Sequence, residues 1–342
     1  MDPVDALAEI AYWLERDLAS PFKTKAFRRA AEVISPLPRA ELRELALGGG
    51  LAGMKGIGGT TLEVIRQAAE GRIPDYLADV RARLDKPLVT EGTELRAQLK
   101  GDLHSHSDWS DGTTSIELMA QTARWLGHDY LVLTDHSPHL KVANGLTAER
   151  LRTQLGVVAQ ISVAQINAGH DGFRLLSGIE VDILDDGALD QSRELLELLD
   201  VVVASVHSKL RMEKAEMTAR MLRAIADPNT NVLGHCTGRL VEGSRGTRPP
   251  SEFDARAVFE ACAEHGVAVE INARPERRDP PSALIRLALE VGCLFSIDSD
   301  AHAPGQLGLI DYGAARAAAN GVPPERIVTT WPLERLLGWA AA

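Results

Sequence analysis

A chain of 342 residues, 45% hydrophobic and 25% charged, has room for one large domain and a small one, and no apolar run approaches membrane-spanning length. The net charge of -11 falls wholly in residues 87–342, because residues 1–86 carry 13 basic and 13 acidic side chains. That surplus speaks against a grip on phosphate backbones by Lys and Arg, although an acidic domain holding several divalent cations would be partly neutralised by them.

Three cysteines, Cys236, Cys262 and Cys293, stand without CxxC spacing and suggest neither a disulfide framework nor a cysteine zinc site. The start MDPVDALAEI is acidic and lacks a signal-peptide pattern, so a reducing, cytoplasmic compartment is expected, with no membrane partner.

Helices open the chain. DPVDALAEIAYWLERDL places Val4, Leu7, Ala8, Ala11, Leu14 and Leu18 at helical spacing behind an Asp-Pro start, and SPFKTKAFRRAAEVISPLP repeats the pattern and stops at prolines. Between them lie Lys23, Lys25, Arg28 and Arg29 with no intervening acid, either a solvated helix face or a basic surface for DNA. Next, LAGMKGIGGTTLEVIRQAAEG sets Gly56-Ile57-Gly58 before a helix beginning near Thr60, a turn whose backbone N–H groups could approach a phosphate.

From about residue 97 the pattern becomes short apolar runs separated by amphipathic segments. LKGDLHSH, DYLVLTDH, RLLSGIEVDIL, DVVVASVH, NVLGHC, VAVEIN and CLFSIDSDAH read as buried parallel strands, and seven β/α units predict a barrel. Chemistry in such barrels collects at the C-terminal strand ends. There stand His104, His106 and Asp111, then His136, Glu180, His207, His235, and finally Asp300 and His302; Asn272 ends the sixth strand. In HSH, alternation along a strand sends both imidazoles to one side. Nine such donors at one mouth would be a costly cluster of desolvated polar groups unless they held metal, and without sulfur donors zinc, manganese, iron and nickel all remain open. His128, His139, His170 and His265 fall off the pattern and are expected at the surface.

Two resemblances follow. Through PFKTKAFRRAAEVI and MKGIGGTTLEVI, residues 1 to about 80 resemble the amino-terminal helical domain of family X DNA polymerases. Lys23 falls where such domains keep a basic residue for a DNA-end phosphate. The lyase lysines have no counterpart between Thr60 and Ile65, so lyase chemistry, which needs an amine, is not expected. Through HSH with SDG, TDHS, GIEVDIL, SVHS, GHCTGR, EIN and SDAH, residues 100 to about 335 resemble the PHP (polymerase and histidinol phosphatase) family, in wording closest to the carboxyl-terminal PHP domain of bacterial family X polymerases. Only about 15 residues join the two matches, so no polymerase palm is expected.

The resemblances imply a small all-α helix-hairpin-helix domain at 1–86, a linker at 87–99, and an α/β domain at 100–342, a distorted (β/α)7 TIM-like barrel. They imply up to three divalent ions (Mn2+, Zn2+ or Fe2+): one on His104, His106, Glu180 and Asp300, one bridged by Glu180 to His207 and His235, one on Asp111, His136 and His302. A hydroxide between the ions would be the nucleophile in phosphoester hydrolysis. Arg239 and Arg277 could clamp the phosphate or form rim salt bridges, with Lys209 and Arg274 as further candidates and Asn272 as a substrate or supporting contact. DNA-end processing, as a 3′-5′ exonuclease or 3′-phosphatase in DNA repair, is one reading, with Lys23, Lys25, Arg28, Arg29, Gly56, Gly58 and Thr60 holding the DNA. A small-molecule phosphatase of the histidinol-phosphate type is the second, and a catalytically silent DNA-end binding module the third. The sequence leaves the oligomeric state open.

Overall fold

A computed structural model describes residues 1–170, 172–243 and 246–342. The chain divides into two compact units, Met1–Pro87 and Leu88–Ala342.

The first unit is helical: α1 (Pro3–Arg16), α2 (Pro21–Ile34), α3 (Arg39–Leu47), α4 (Gly59–Ala69) and α5 (Asp75–Leu84). Asp2 caps α1 by accepting from the Val4 and Asp5 N–H groups, and Pro3 and Pro21 open their helices where no donor is needed. The buried stripe of α1 is Leu7, Ile10, Ala11 and Leu14; Leu18 lies past the helix end at positive φ and is exposed. At the hairpin, Gly56 sits at φ +99°, and a Cβ there would press on Val33 and Arg29 at 3.0–3.1 Å, so the turn lies hard against α2. Gly58 N–H donates to Thr61 Oγ1 at 2.9 Å at the start of α4.

The second unit opens with α6 (Thr93–Arg96). It continues β1 (Gly101–Asp102), α7 (Ile116–Trp125), β2 (Tyr130–Leu133), α8 (Ala148–Asn167), β3 (Arg174–Asp182), α9 (Arg193–Leu196), β4 (Val201–Ser205), α10 (Lys214–Ile225), β5 (Val232–Leu233), α11 (Ala255–His265), β6 (Ala268–Asn272), α12 (Ser282–Glu290), β7 (Leu294–Asp298), α13 (Ile310–Ala319) and α14 (Leu333–Ala340). The seven strands pair in parallel in sequence order, forming a nearly closed, distorted TIM-like barrel. Residues 88–99, expected as a linker, pack within this unit: Leu95 and Leu99 are buried, and Arg96 pairs with Asp311 at 3.0 Å.

Strand alternation builds the barrel interior in two zones. At the N-terminal end the inward residues are apolar, Tyr130, Val132, Leu176, Val201, Val203, Val232 and Ala268, closed over by Val328, Trp331 and Leu336. Further along the same faces the side chains turn polar, as with Glu180 and Asp182 on β3 and Glu270 and Asn272 on β6. The core thus gives way to a site without any change of fold.

Between β7 and β1 the ladder shrinks to one bridge, Ser105 to Ala301, with His106 N–H donating to Ala301 O at 2.8 Å. Side chains close the rest of that seam. Asp298 accepts from Leu103 N–H at 2.8 Å, while Asp102 accepts from His104 N–H at 3.0 Å and Ser299 N–H at 3.2 Å. Burial pushes the Asp102 carboxyl up to about 6 and raises Asp298 well above the carboxylate range.

Candidate metal centre

Glu180, 1% exposed, is the hub of the barrel mouth. Its Oε2 lies 3.2 Å from His104 Nε2, 3.6 Å from His106 Nε2 and 2.9 Å from His136 Nδ1. Its Oε1 lies 3.2 Å from His207 Nε2 and 2.9 Å from His235 Nε2. Asp300 Oδ1 stands 3.5 Å from His106 Nε2, and Asp111 Oδ1 stands 3.5 Å from His136 Nε2 and 3.3 Å from His302 Nε2. The structure therefore brings together all nine donors from the strand ends.

The donors fall into overlapping groups whose ligand atoms lie within 4.8 Å of one another: His106, Asp111, His136 and His302; His104, His106 and Asp300; His104, Glu180 and His235; His136, Glu180 and His207. Among the described residues, the buried His104 Nε2, His106 Nε2, His235 Nε2 and both Glu180 oxygens have no hydrogen-bond partner. Unpartnered buried polar atoms are costly, and these are nitrogen and carboxylate lone pairs aimed at common points. The donor set fits divalent metal ions.

The electrostatics follow from that crowding. Burial would raise Glu180, but His104, His207 and His136 hold it well below the carboxylate range. Burial would lower His207, but Glu180 and Asp182 bring it up to about 9. His106 is depressed by burial and by the neighbouring His302 and His136.

An outer layer fixes the imidazoles. His104 Nδ1 meets Glu270 Oε1 at 2.6 Å, and His207 Nδ1 meets Asp182 Oδ1 at 2.5 Å. Such partners set which nitrogen faces the centre. Glu270 also accepts from the His235 N–H at 2.5 Å. Neither acid stands out in the sequence, although each lies two residues from a singled-out position, Asp182 from Glu180 and Glu270 from Asn272, and strand alternation places each on the inward face. Asn272 donates to Glu270 and to Asp300 Oδ2 at 3.1 Å, a supporting position. Asp135 staples the loop carrying Asp111, accepting from Ser107 N–H at 2.8 Å, Ser107 Oγ at 2.6 Å, Ser110 Oγ at 2.5 Å and Gln154 Nε2 at 2.6 Å.

A cavity of about 430 Å³ opens onto Asp111, His136, His207, Asp300 and His302. Arg277, 7% exposed and bonded to Asp300 Oδ2 at 3.1 Å, lines it, as do Arg274 and Arg248. Arg239 does not: its Nε donates to Arg277 O at 3.0 Å and its Nη2 to Arg278 O, so the guanidinium braces the 277–278 backbone instead of reaching the mouth. Lys209 pairs with Asp185 at 2.6 Å. His128, expected at the surface, is buried beside the end of α7, while His139, His170 and His265 are exposed.

In the helical unit, Lys23, Lys25 and Arg29 are exposed, as are Gly58 and Thr60 at the start of α4. Lys25 and Arg29 share a face of α2, and the Arg29 side chain lies alongside the Gly56 turn. Arg28 departs from the expectation. It is buried and grips Glu15 through two hydrogen bonds of 2.9 and 2.7 Å, so it serves the helix packing and offers DNA nothing.

Fold and site together define a barrel hydrolase whose mouth is fitted for divalent metals. The chain belongs to the PHP domain family, whose pattern matches residues 102–274, and a helix-hairpin-helix domain matches residues 1–72. It is a phosphoester hydrolase. The DNA polymerase/3′-5′ exonuclease PolX of Bacillus subtilis is 40% identical over 205 residues, 60% of this chain and 34% of that protein, so this chain spans about a third of that relative. The probable phosphatase YcdX of Escherichia coli O139:H28 is 30% identical over 250 residues, 70% of this chain and 92% of that protein. A solved histidinol phosphate phosphatase of Lactococcus lactis, complexed with zinc, L-histidinol and phosphate, aligns over 60% of this chain and 87% of its own at a TM-score of 0.43 and 18% identity. No helix among the described residues is long and apolar enough to cross a membrane.

Proposed function

We propose that this protein hydrolyses phosphoesters at DNA ends, as a 3′-5′ exonuclease or 3′-phosphatase, with the helical unit holding the DNA. The observation that carries the hydrolytic part is the set of buried, unpartnered donors around Glu180. Three sets of residues would hold the ions: His104, His106, Glu180 and Asp300; Glu180, His207 and His235; and Asp111, His136 and His302. Bound there, divalent ions supply Lewis acidity and an activated water for in-line displacement at phosphorus.

The chain's own residues do the rest. Arg277, already aligned by Asp300, and Arg274, held by Glu276 at 2.7 Å, present guanidinium N–H groups to the phosphoryl oxygens. Asp182 and Glu270 accept hydrogen bonds from the Nδ1–H groups of His207 and His104 and so keep each Nε2 lone pair directed inward. Support for DNA comes from the helix-hairpin-helix match and from Lys23, Lys25 and Arg29, which lie exposed on the helix beside the hairpin.

The test is hydrolysis of a 3′-labelled duplex with manganese, with histidinol phosphate assayed in parallel. Release that is lost in His104→Ala and weakened in Lys23→Glu/Lys25→Glu supports the proposal. Turnover of histidinol phosphate alone, indifferent to the lysine changes, replaces it with small-molecule phosphatase activity.

A further inference from the structure

The lining of the cavity at the mouth mixes two kinds of side chain. Arg248, Arg274 and Arg277 supply positive charge, while Leu140 and Val142, from the loop after β2, and Val206 and Leu210, from the loop after β4, supply apolar surface. Val142 is 92% exposed and lines the cavity from its rim. Its loop is nevertheless fixed. Leu146 N–H donates to His136 O at 2.7 Å, and Arg150 Nη1 donates to Asn144 O at 2.7 Å. At Gly145 a Cβ would sit 1.8 Å from Ser137 O, so only glycine allows the loop to close down on the strand end. A pre-ordered loop that holds an apolar side chain at the rim gives up little entropy when a ligand covers it.

The charges narrow the ligand. A substrate with a cationic alcohol would need an uncommitted acid near the wall. The two acids lining the cavity outside the donor set are taken: Glu276 pairs with Arg274 at 2.7 Å and Glu242 with Arg278 at 3.1 Å. We propose that Leu140, Val142, Val206 and Leu210 form a leaving-group wall that takes the uncharged, flat base and sugar of a nucleoside ester while the arginines hold its phosphate. This rests on the reading of the barrel as a phosphoesterase for DNA ends and assigns that activity its specificity residues.

The experiment compares deoxyadenosine 3′-phosphate with glycerol 2-phosphate as substrates for the full, manganese-loaded protein, and measures deoxyadenosine affinity by calorimetry. Val142→Ser is the variant, since a residue this exposed does not hold the fold together, and Leu198→Ser, exposed and outside the cavity, is the control. In Val142→Ser the kcat/KM ratio of nucleotide to glycerol ester is expected to fall about tenfold, chiefly through KM, with deoxyadenosine affinity falling in step. Leu198→Ser keeps the ratio. An unchanged ratio, an equal loss on both esters, or no deoxyadenosine binding by the wild type overturns the wall. Wild-type protein that leaves DNA ends intact yet prefers the nucleotide in a Val142-dependent way would sink the DNA-end reading alone.

Discussion

His104 turns Nδ1 to Glu270 at 2.6 Å, which leaves its Nε2 directed at Glu180, 3.2 Å away. The ring is aimed by a residue that would itself touch no ion. Glu270→Gln is expected to weaken metal affinity about 10- to 100-fold while the barrel stays folded, measured by competition against a chelator. An affinity equal to wild type would mean that packing alone orients the imidazole.

Removing metal should register in stability. Ions that bind only the folded centre add about 2.7 kcal/mol at a hundred times their dissociation constant. For a unit of this size that is a rise in Tm of about 5–10 °C on adding manganese to chelator-treated protein. His104→Ala should flatten the response. A melting curve indifferent to metal in the wild type would count against a structural load on these donors.

Asp135 gathers four donors from Ser107, Ser110 and Gln154. Asp135→Ala strands those groups and is expected to cost about 2–4 kcal/mol in urea unfolding. Because this loop carries Asp111, metal affinity should fall as well. A loss of under about 1 kcal/mol would show that water replaces the carboxylate.

Burial, and then the charge of Arg96, push His128 down to about 3. The unfolded chain takes up that proton near pH 6.5, before the folded one can, so this residue's contribution is lost as pH falls from about 6.5 towards 3. At pH 4.5 the loss is about 2–3 kcal/mol relative to neutral pH. His128→Leu should lack it, so the wild-type and variant stability curves converge or cross on acidification. Parallel curves from pH 7 to 4.5 would contradict the assignment.

Arg28 and Glu15 are buried together, whereas Lys23 and Lys25 are exposed. Arg28→Ala removes two hydrogen bonds and the opposing charge from the buried Glu15 carboxylate and is expected to destabilise the helical unit by about 3–5 kcal/mol. Lys23→Glu and Lys25→Glu should leave folding intact and reduce the salt dependence of DNA binding. Circular dichroism melts beside binding isotherms at several salt concentrations separate the two effects.

Most of the inward donors were legible because they stand at or just past the end of an apolar run, where a parallel barrel collects its chemistry. Glu270 obeys the same rule but lies inside its strand, where an acid reads as interruption instead of ligand support, and Asp182 ends β3 two residues after Glu180, in a run that Glu180 already accounts for. What the sequence hides is the choice of partner. Arg28 and Arg29 are adjacent and chemically alike, yet helical rotation buries one against Glu15 and exposes the other. Arg239 and Arg277 both follow strand ends, but only the backbone path shows that the first is spent on carbonyls of the loop that bears the second. His128 sits between a glycine and an aspartate, a setting that reads as surface; its burial arises from packing over α7. Val142 looks like any residue of a polar loop until the fold places it on the lining of the mouth.

The seam between β7 and β1 has a further consequence. Asp102 and Asp298, which join those strands, lie two residues before His104 and Asp300 on the same stretches of chain. Completing the ring therefore also sets His104 and His106 against Asp300. With its first and last strands apart the chain would still hold His136, Glu180, His207 and His235 on neighbouring strands, but His104 and His106 would be parted from Asp300 and His302, so a closed seam is a condition for a complete centre.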